Sequence, residues 1–237
     1  MYPHPAYLPS PAMTLRHHAT PFRPHGFTLI ELLAVITIIG ILAAIIIPVA
    51  GKARATADKA QCISALRSWG IALQSYADDN RDWLPPDPAN GTLRILTKAT
   101  TTEKRHLVWY LAPWLGLPPE LVGTPGGRIP DNVICRAWLR QTPDRNSAIW
   151  ALNEKYSPQG KSNPNQDSTA WNPWGDTGTP RRRLSEILSG NAPSTQWLIK
   201  DIDGAISGIN PADTATLPPS PVHGKRRNQL YWDWHVK

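Results

Sequence analysis

Twenty-one residues, Phe27 to Ile47, decide most of what this chain can become. Within "GFTLIELLAVITIIGILAAIIIPVA" (26–50) only Thr28, Glu31 and Thr37 interrupt that apolar run with polar side chains. At about 1.5 Å of rise per residue a helix of this length covers a bilayer core of roughly 30 Å. The run is too long for the apolar core of an ordinary secretory signal, and no small-x-small cleavage site follows it. A membrane helix is therefore expected over 27–48. A carboxylate at that depth is costly and usually functional. A plain signal anchor explains the hydrophobicity, but neither the glycine directly before Phe27 nor the position of Glu31.

After Pro48 the spacing changes. Ile63, Leu66, Gly70, Leu73 and Ala77 recur at three- and four-residue steps, with Lys52, Arg54, Asp58, Lys59 and Arg67 elsewhere around the wheel. One helix is predicted from about residue 27 to 79, its second half amphipathic (49–80) and packed on a globular domain (81–237). "DDNRDWLPPDP" (78–88) stops it, because prolines and an Asp/Asn cluster favour turns. Asp78, Asp79 and Asp82 read there as caps and solvated charges. "HLVWYLAPWLG" (106–116) is a short helix presenting Leu107, Tyr110, Leu111 and Trp114 to the core. "DNVICRAW" (131–138), "SAIWALN" (147–153), "TQWLIKDI" (195–202) and "RNQLYWDWHV" (227–236) read as strands, and the polar stretch 157–180 as a surface loop. The fold class is α+β: a long helix on a small antiparallel sheet with long loops.

Composition narrows the partners. In 237 residues there are 25 prolines and 16 glycines beside 41% hydrophobic residues, which suits a loop-rich globular body. The formal charge is +7, and removing residues 1–26, with Arg16, Arg23 and no acid, leaves +5. That excess is modest and dispersed. "PRRR" (180–183) is the one tight basic cluster and reads as a solvated helix start, so no nucleic-acid partner is expected. Gly-x-Ser-x-Gly, phosphate-loop, dinucleotide and His-Glu-x-x-His patterns are missing, which argues against an enzyme. Of the eleven tryptophans, Trp171, Trp174, Trp232 and Trp234 are candidates for stacking on sugars, against the plainer reading as core or interface.

The order of parts, a polar leader with Arg16, Arg23 and four histidines followed by "HGFTLIELL", resembles the class III signal of type IV pilins and type II secretion pseudopilins. The likeness runs nearly position by position over residues 26–50, including Pro48, which removes a backbone donor from the helix. It implies a leader (1–26) cut between Gly26 and Phe27 by a membrane aspartyl prepilin peptidase, which also methylates the new terminus at Phe27. His25 stands where the family usually has Lys or Arg, and either Met1 or Met13 can be the start. The resemblance makes Glu31 the fifth residue of the mature chain, a buried carboxylate that needs a cation. The Phe27 amine of a neighbouring subunit would supply it and set axial register.

A second resemblance spans the body. "CISALRSWGIALQSYADDNRDWLPPD", "VWYLAPWLG", Cys135, "SAIWALN", "LSEILSGNAPSTQWLIKDID" and "HGKRRNQLYWDWHV" follow in the order seen in pseudopilin-like proteins ending in a His–nine residues–Asp-Gly motif. His223 and Asp233 have that spacing, and Trp234 replaces the glycine. His223, Asp233 and His235 are candidate metal ligands, against the plainer reading that His223 and Asp233 tie the last strand to its preceding loop. Asp201, Asp203 and Asp233 are calcium candidates by analogy with major pseudopilins, although Asp-x-Asp-Gly alone falls short of a calcium loop. Cys62 and Cys135 lie on the exported side in this reading, where a disulfide and two buried free thiols are both open.

Together these readings describe a single-pass inner-membrane protein with its leader cytoplasmic and its globular domain periplasmic. It would polymerise with copies of itself and other pseudopilins, driven by an assembly ATPase and platform protein, to push cargo outward. The alternative is a surface type IV pilus or adhesin subunit that binds DNA or polysaccharide. No cofactor is required by either.

Overall fold

The structure, a computed structural model, describes residues 26–86, 107–117, 133–142, 150–153, 156–159, 169–175, 179–190, 193–205 and 217–237. Residues 1–25, most of the predicted leader, and parts of the predicted strands (131–132, 147–149) and of the long loop lie outside these residues. Helix α1 runs Leu29–Asp79, close to the predicted 27–79. It is followed by α2 (Leu107–Leu111), α3 (Arg136–Gln141), β1 (Trp150–Leu152), α4 (Leu184–Leu188), a 3-10 turn (Pro193–Thr195), β2 (Trp197–Asp201) and β3 (Gln229–Tyr231). This is the predicted α+β architecture: a long amino-terminal helix and a small antiparallel sheet.

Two compact units divide at Pro48–Val49. In the first, the apolar side chains of α1 from Leu29 to Ile47 are exposed, as expected of a helix whose solvent is lipid. Thr37 returns its hydroxyl to the Leu33 carbonyl at 2.7 Å, so even this polar residue leaves no donor open. Pro48 lies inside α1, where it withholds one N–H from the helical ladder.

The second unit is built on the remaining turns of α1. Cys62, Ala65, Leu66, Trp69, Gly70, Ala72, Leu73, Tyr76 and Ala77 form the buried stripe, at the predicted three- and four-residue steps. Its first member is Cys62, with Ile63 half-buried at the edge. Gly70 has a packing reason: a Cβ there would sit 3.2 Å from Trp234 Cε3 and 3.4 Å from Leu230 Cδ2. Alanine gains helix propensity that offsets a mild clash, but branching adds atoms with nowhere to go. Gly70→Val is expected to lower unfolding free energy by about 1–3 kcal/mol, read from denaturant melts of the full chain in detergent.

α1 ends as its sequence predicts, with one surprise. Asp82 N–H bonds back to the Ala77 carbonyl at 2.7 Å, and Arg81 and Asp82 take φ of 56° and 72° without a glycine. Asp82 is held there by the segment it meets. Its carbonyl accepts from Leu184 N–H at 2.8 Å, and its carboxylate accepts from the Ser185 N–H and hydroxyl. Asp79 accepts from Trp114 Nε1 at 3.2 Å. Asp82 thus caps the start of the segment from Leu184, while Asp79 ties the end of α1 to Trp114.

The sheet order is β1-β2-β3, antiparallel throughout, with Trp150 opposite Asp201, Ile199 opposite Leu230, and an irregularity between Trp197 and Ile199. Two strand predictions are corrected. "DNVICRAW" is no strand where it is described: a turn at Val133–Ile134 leads into α3. Side chains of α1 take the backbone groups that a neighbouring strand would have used. Trp69 Nε1 donates to Val133 O at 2.9 Å, Gln61 Nε2 donates to Ile134 O at 3.0 Å, and Gln61 Oε1 accepts from Arg136 N–H at 3.0 Å. Asp58 and Arg140 add an ion pair between α1 and α3.

The last strand is also shorter than predicted. It stops at Tyr231, the chain turns through Trp232–Trp234, and Val236 returns to bridge Leu230. Trp234 has φ 71°, the left-handed region that the family glycine would take easily. The turn therefore survives the Gly-to-Trp departure, closed by Trp234 N–H to Tyr231 O at 3.0 Å and Tyr231 N–H to His235 O at 2.9 Å.

The long polar loop is anchored rather than merely superficial. Tyr156 and Trp171 exchange both backbone hydrogen bonds, and Trp174 is buried against Trp232 at 5.7 Å between ring centroids. Trp174 and Trp232 are thus core residues. Trp171, half-buried, lies under the Arg182 guanidinium at 4.8 Å, while Arg181 and Arg183 sit over Trp83 at 5.6 and 5.0 Å. The basic cluster is spent on aromatic faces.

Candidate functional site

Residues 26–28 precede the helix, and Thr28 is its N-cap: Leu32 N–H reaches Thr28 O at 3.2 Å. Glu31 then stands three residues on, and its Oε2 accepts from Thr28 N–H at 2.8 Å and from the Thr28 hydroxyl at 2.7 Å. Glu31 N–H points back to Thr28 Oγ1 at 3.3 Å. This is a capping box, and "TLIE" before an apolar run is its sequence signature. Sequence reasoning overlooked it. Glu31 consequently has a role within its own chain, and its charge also suits the positive end of the helix.

Gly26 has no such local reason. A Cβ added there would meet nothing within 4 Å, and Phe27 is 80% exposed.

The predicted metal residues do not gather into one group but fall into separate pairs among the described residues. Asp203 forms a two-pronged pair with Arg227, at 2.5 and 2.8 Å, and accepts from Ala205 N–H at 2.9 Å. Asp233 pairs with His235 at 2.5 Å, and the His235 ring stacks on Tyr231 at 4.2 Å. Asp201 is buried, and one oxygen, Oδ2, accepts from Asn228 N–H and Nδ2 at 2.9 and 3.0 Å. Burial pushes its pKa up to about 7, against the pull of those Asn228 hydrogen bonds. Arg227 thus occupies both oxygens of Asp203, while Asp201 keeps its Oδ1 without a hydrogen-bond partner among the described residues.

His223 lies elsewhere than predicted. Its Nε2 is 3.0 Å from Cys62 Sγ and 3.2 Å from Cys135 Sγ, and those two cysteines are joined as a disulfide across a Cα–Cα distance of 4.5 Å. Burial, then the nearby Lys59, lower the His223 pKa, against the pull of Asp58. Among the described residues, Cys62, Cys135 and His223 are the metal-type donors that converge, in place of His223 with Asp233 and His235. With a cysteine on α1, another just before α3 and a histidine before β3, no local spacing could have revealed the grouping.

Comparison with known proteins agrees with the helix start. The prokaryotic N-terminal methylation motif matches residues 22–47. Type II secretion system core protein G of Pectobacterium carotovorum subsp. carotovorum is 34% identical over 79 residues, 33% of this chain and 49% of that protein. The protein of the same description from Dickeya chrysanthemi is 27% identical over 154 residues, 63% of this chain and 88% of that protein. The chain thus spans about half the length of the first relative and most of the second. No solved structure matches significantly. The first helix thus carries the prokaryotic methylation motif, and the chain is similar to type II secretion core proteins G along its amino-terminal part and, more weakly, over 63% of its length.

Proposed function

We propose that this chain is made as a precursor, cut between Gly26 and Phe27, methylated at Phe27 and polymerised into a type II secretion pseudopilus. The observation that carries the reading is the methylation motif falling on a glycine that the chain's own packing does not need. The exposed apolar stretch of α1 gives such a subunit its membrane hold before assembly and its packing surface within a filament. In this reading the body is periplasmic, and the Cys62–Cys135 bond suits that oxidising side. Prepilin peptidase, an assembly ATPase, a platform protein and other pseudopilins are its partners. The surface-adhesin alternative has less support, because Trp174 and Trp232 are buried and Arg181–Arg183 lie over aromatic rings.

Co-expression with a prepilin peptidase tests the cleavage. The wild-type chain is expected to shift to a shorter form only when the peptidase is present, and Gly26→Leu to stay full length. Equal processing of Gly26→Leu would place the cut elsewhere.

A further inference from the structure

We propose that Cys62, Cys135 and His223 form a site for a borderline-soft divalent cation such as Zn²⁺ in the reduced chain, and that the disulfide is the cation-free, oxidised state of the same site. Three elements far apart in sequence bring these donors together: α1, the residue before α3, and the segment before β3. All three ligand atoms lie within 4.8 Å of one another. The imidazole presents one nitrogen, Nε2, to both sulfurs, and its side chain is only 5% exposed. A disulfide is a poor hydrogen-bond acceptor, so it gives little reason to hold a buried imidazole against it. Two thiolates and a neutral imidazole are, by contrast, a donor set that Zn²⁺ prefers.

A second observation points to a cation. Asp201 Oδ2 is 3.9 Å from the same nitrogen, and Asp201 Oδ1 is buried with no hydrogen-bond partner among the described residues. A buried carboxyl oxygen without a partner, beside three metal-type donors, leaves a polar group that a bound cation would satisfy. The rearrangement needed is small. Tetrahedral Zn–S and Zn–N bonds of about 2.3 and 2.0–2.1 Å hold ligand atoms roughly 3.5–3.8 Å apart. The sulfurs must therefore part, and the imidazole must withdraw by about half an ångström.

The interconversion balances with ordinary thiol chemistry. A dithiol reductant gives two electrons and two protons to the Cys62–Cys135 bond, yielding two thiols and becoming a disulfide itself. The cation then takes two thiolates and the His223 nitrogen, and two protons pass to solvent. A disulfide oxidant reverses the sequence by exchange and expels the cation. In both states the site ties α1 to the segments before α3 and β3.

The test uses the full chain in detergent, reduced with a phosphine, freed of reductant under anaerobic conditions and titrated with Co²⁺. The reduced chain is expected to bind one equivalent with thiolate charge-transfer and tetrahedral d–d absorption, and Zn²⁺ to bleach it. The unreduced chain should bind none. His223→Gln is expected to weaken binding by about a hundredfold, at least the cost of losing an outer hydrogen-bond partner of a metal site. Melting of oxidised His223→Gln near wild type shows that the variant folds. If the reduced chain unfolds, recovery of its helical circular dichroism together with the cobalt spectrum supports the site. No tetrahedral thiolate spectrum in the reduced chain, or wild-type affinity in His223→Gln, would overturn the proposal.

Discussion

Glu31→Gln is expected to reduce incorporation into filaments by about a hundredfold or more and to leave the start of the helix intact. Breaking a buried ion pair by removing one partner costs about 3–5 kcal/mol, because the remaining charge is left buried and alone. In a filament that charge would be the Phe27 amine of the next subunit. The substitution is informative because glutamine serves a capping box nearly as well as glutamate. It keeps the bonds Glu31 receives from Thr28 N–H and Oγ1 and removes only the charge. Thr28→Ala does the converse, costing about 1 kcal/mol of helix start and sparing the carboxylate. Sedimented or cross-linked filaments from cells carrying the assembly machinery give the readout. If Glu31→Gln assembles like wild type while Thr28→Ala fails, the acid is a cap and nothing more.

Trp69→Ala is expected to be the most damaging single change in the second unit, at about 3–5 kcal/mol of unfolding free energy. Trp69 is fully buried in the middle of the α1 stripe, and its Nε1 holds the Val133 carbonyl at 2.9 Å. Alanine leaves both a cavity and a weakly bonded carbonyl, since the remaining donor, Trp150 Nε1, stands at 3.4 Å. Trp69→Phe restores most of the volume but not the hydrogen bond. It should cost less, about 1–3 kcal/mol, the penalty of an underbonded buried group. Denaturant midpoints of the two variants separate the terms. Equal losses would mean that the hydrogen bond, and not the volume, dominates; near-zero loss in Trp69→Ala would contradict the packing described above.

Helices α1 and α2 and two of the strands, β1 and β2, were legible because local patterns carry them. The apolar run, the three- and four-residue stripe through Leu66, Gly70 and Leu73, and the turn chemistry after Asp79 are properties of neighbouring residues. The segment around Cys135 misled for the opposite reason. "NVIC" has strand-forming residues, but its backbone partners are Gln61 and Trp69, some seventy positions earlier on α1. The final segment alternates like a strand through Trp232, yet Trp234 adopts a left-handed φ that its side chain does not favour, so alternation overestimated its length. The residues proposed for processing, Gly26 and Phe27, stand in a contiguous motif that the methylation-motif match covers. The capping role of Glu31 is equally local, a Thr-x-x-Glu pattern across Thr28 and Glu31. His223 was singled out, but its partners were not, since Cys62 and Cys135 lie 161 and 88 residues away from it.

The central claim is that Phe27 becomes the first residue of a processed, filament-forming chain. The mass of the amino-terminal peptide from protein extracted from its native membrane tests this most directly. A peptide beginning with N-methylated Phe27 is the predicted result, and it would give Glu31 a neighbour's amine as its partner. A peptide that retains Gly26 and the leader would contradict the account and leave a membrane-anchored domain whose Glu31 only caps its helix.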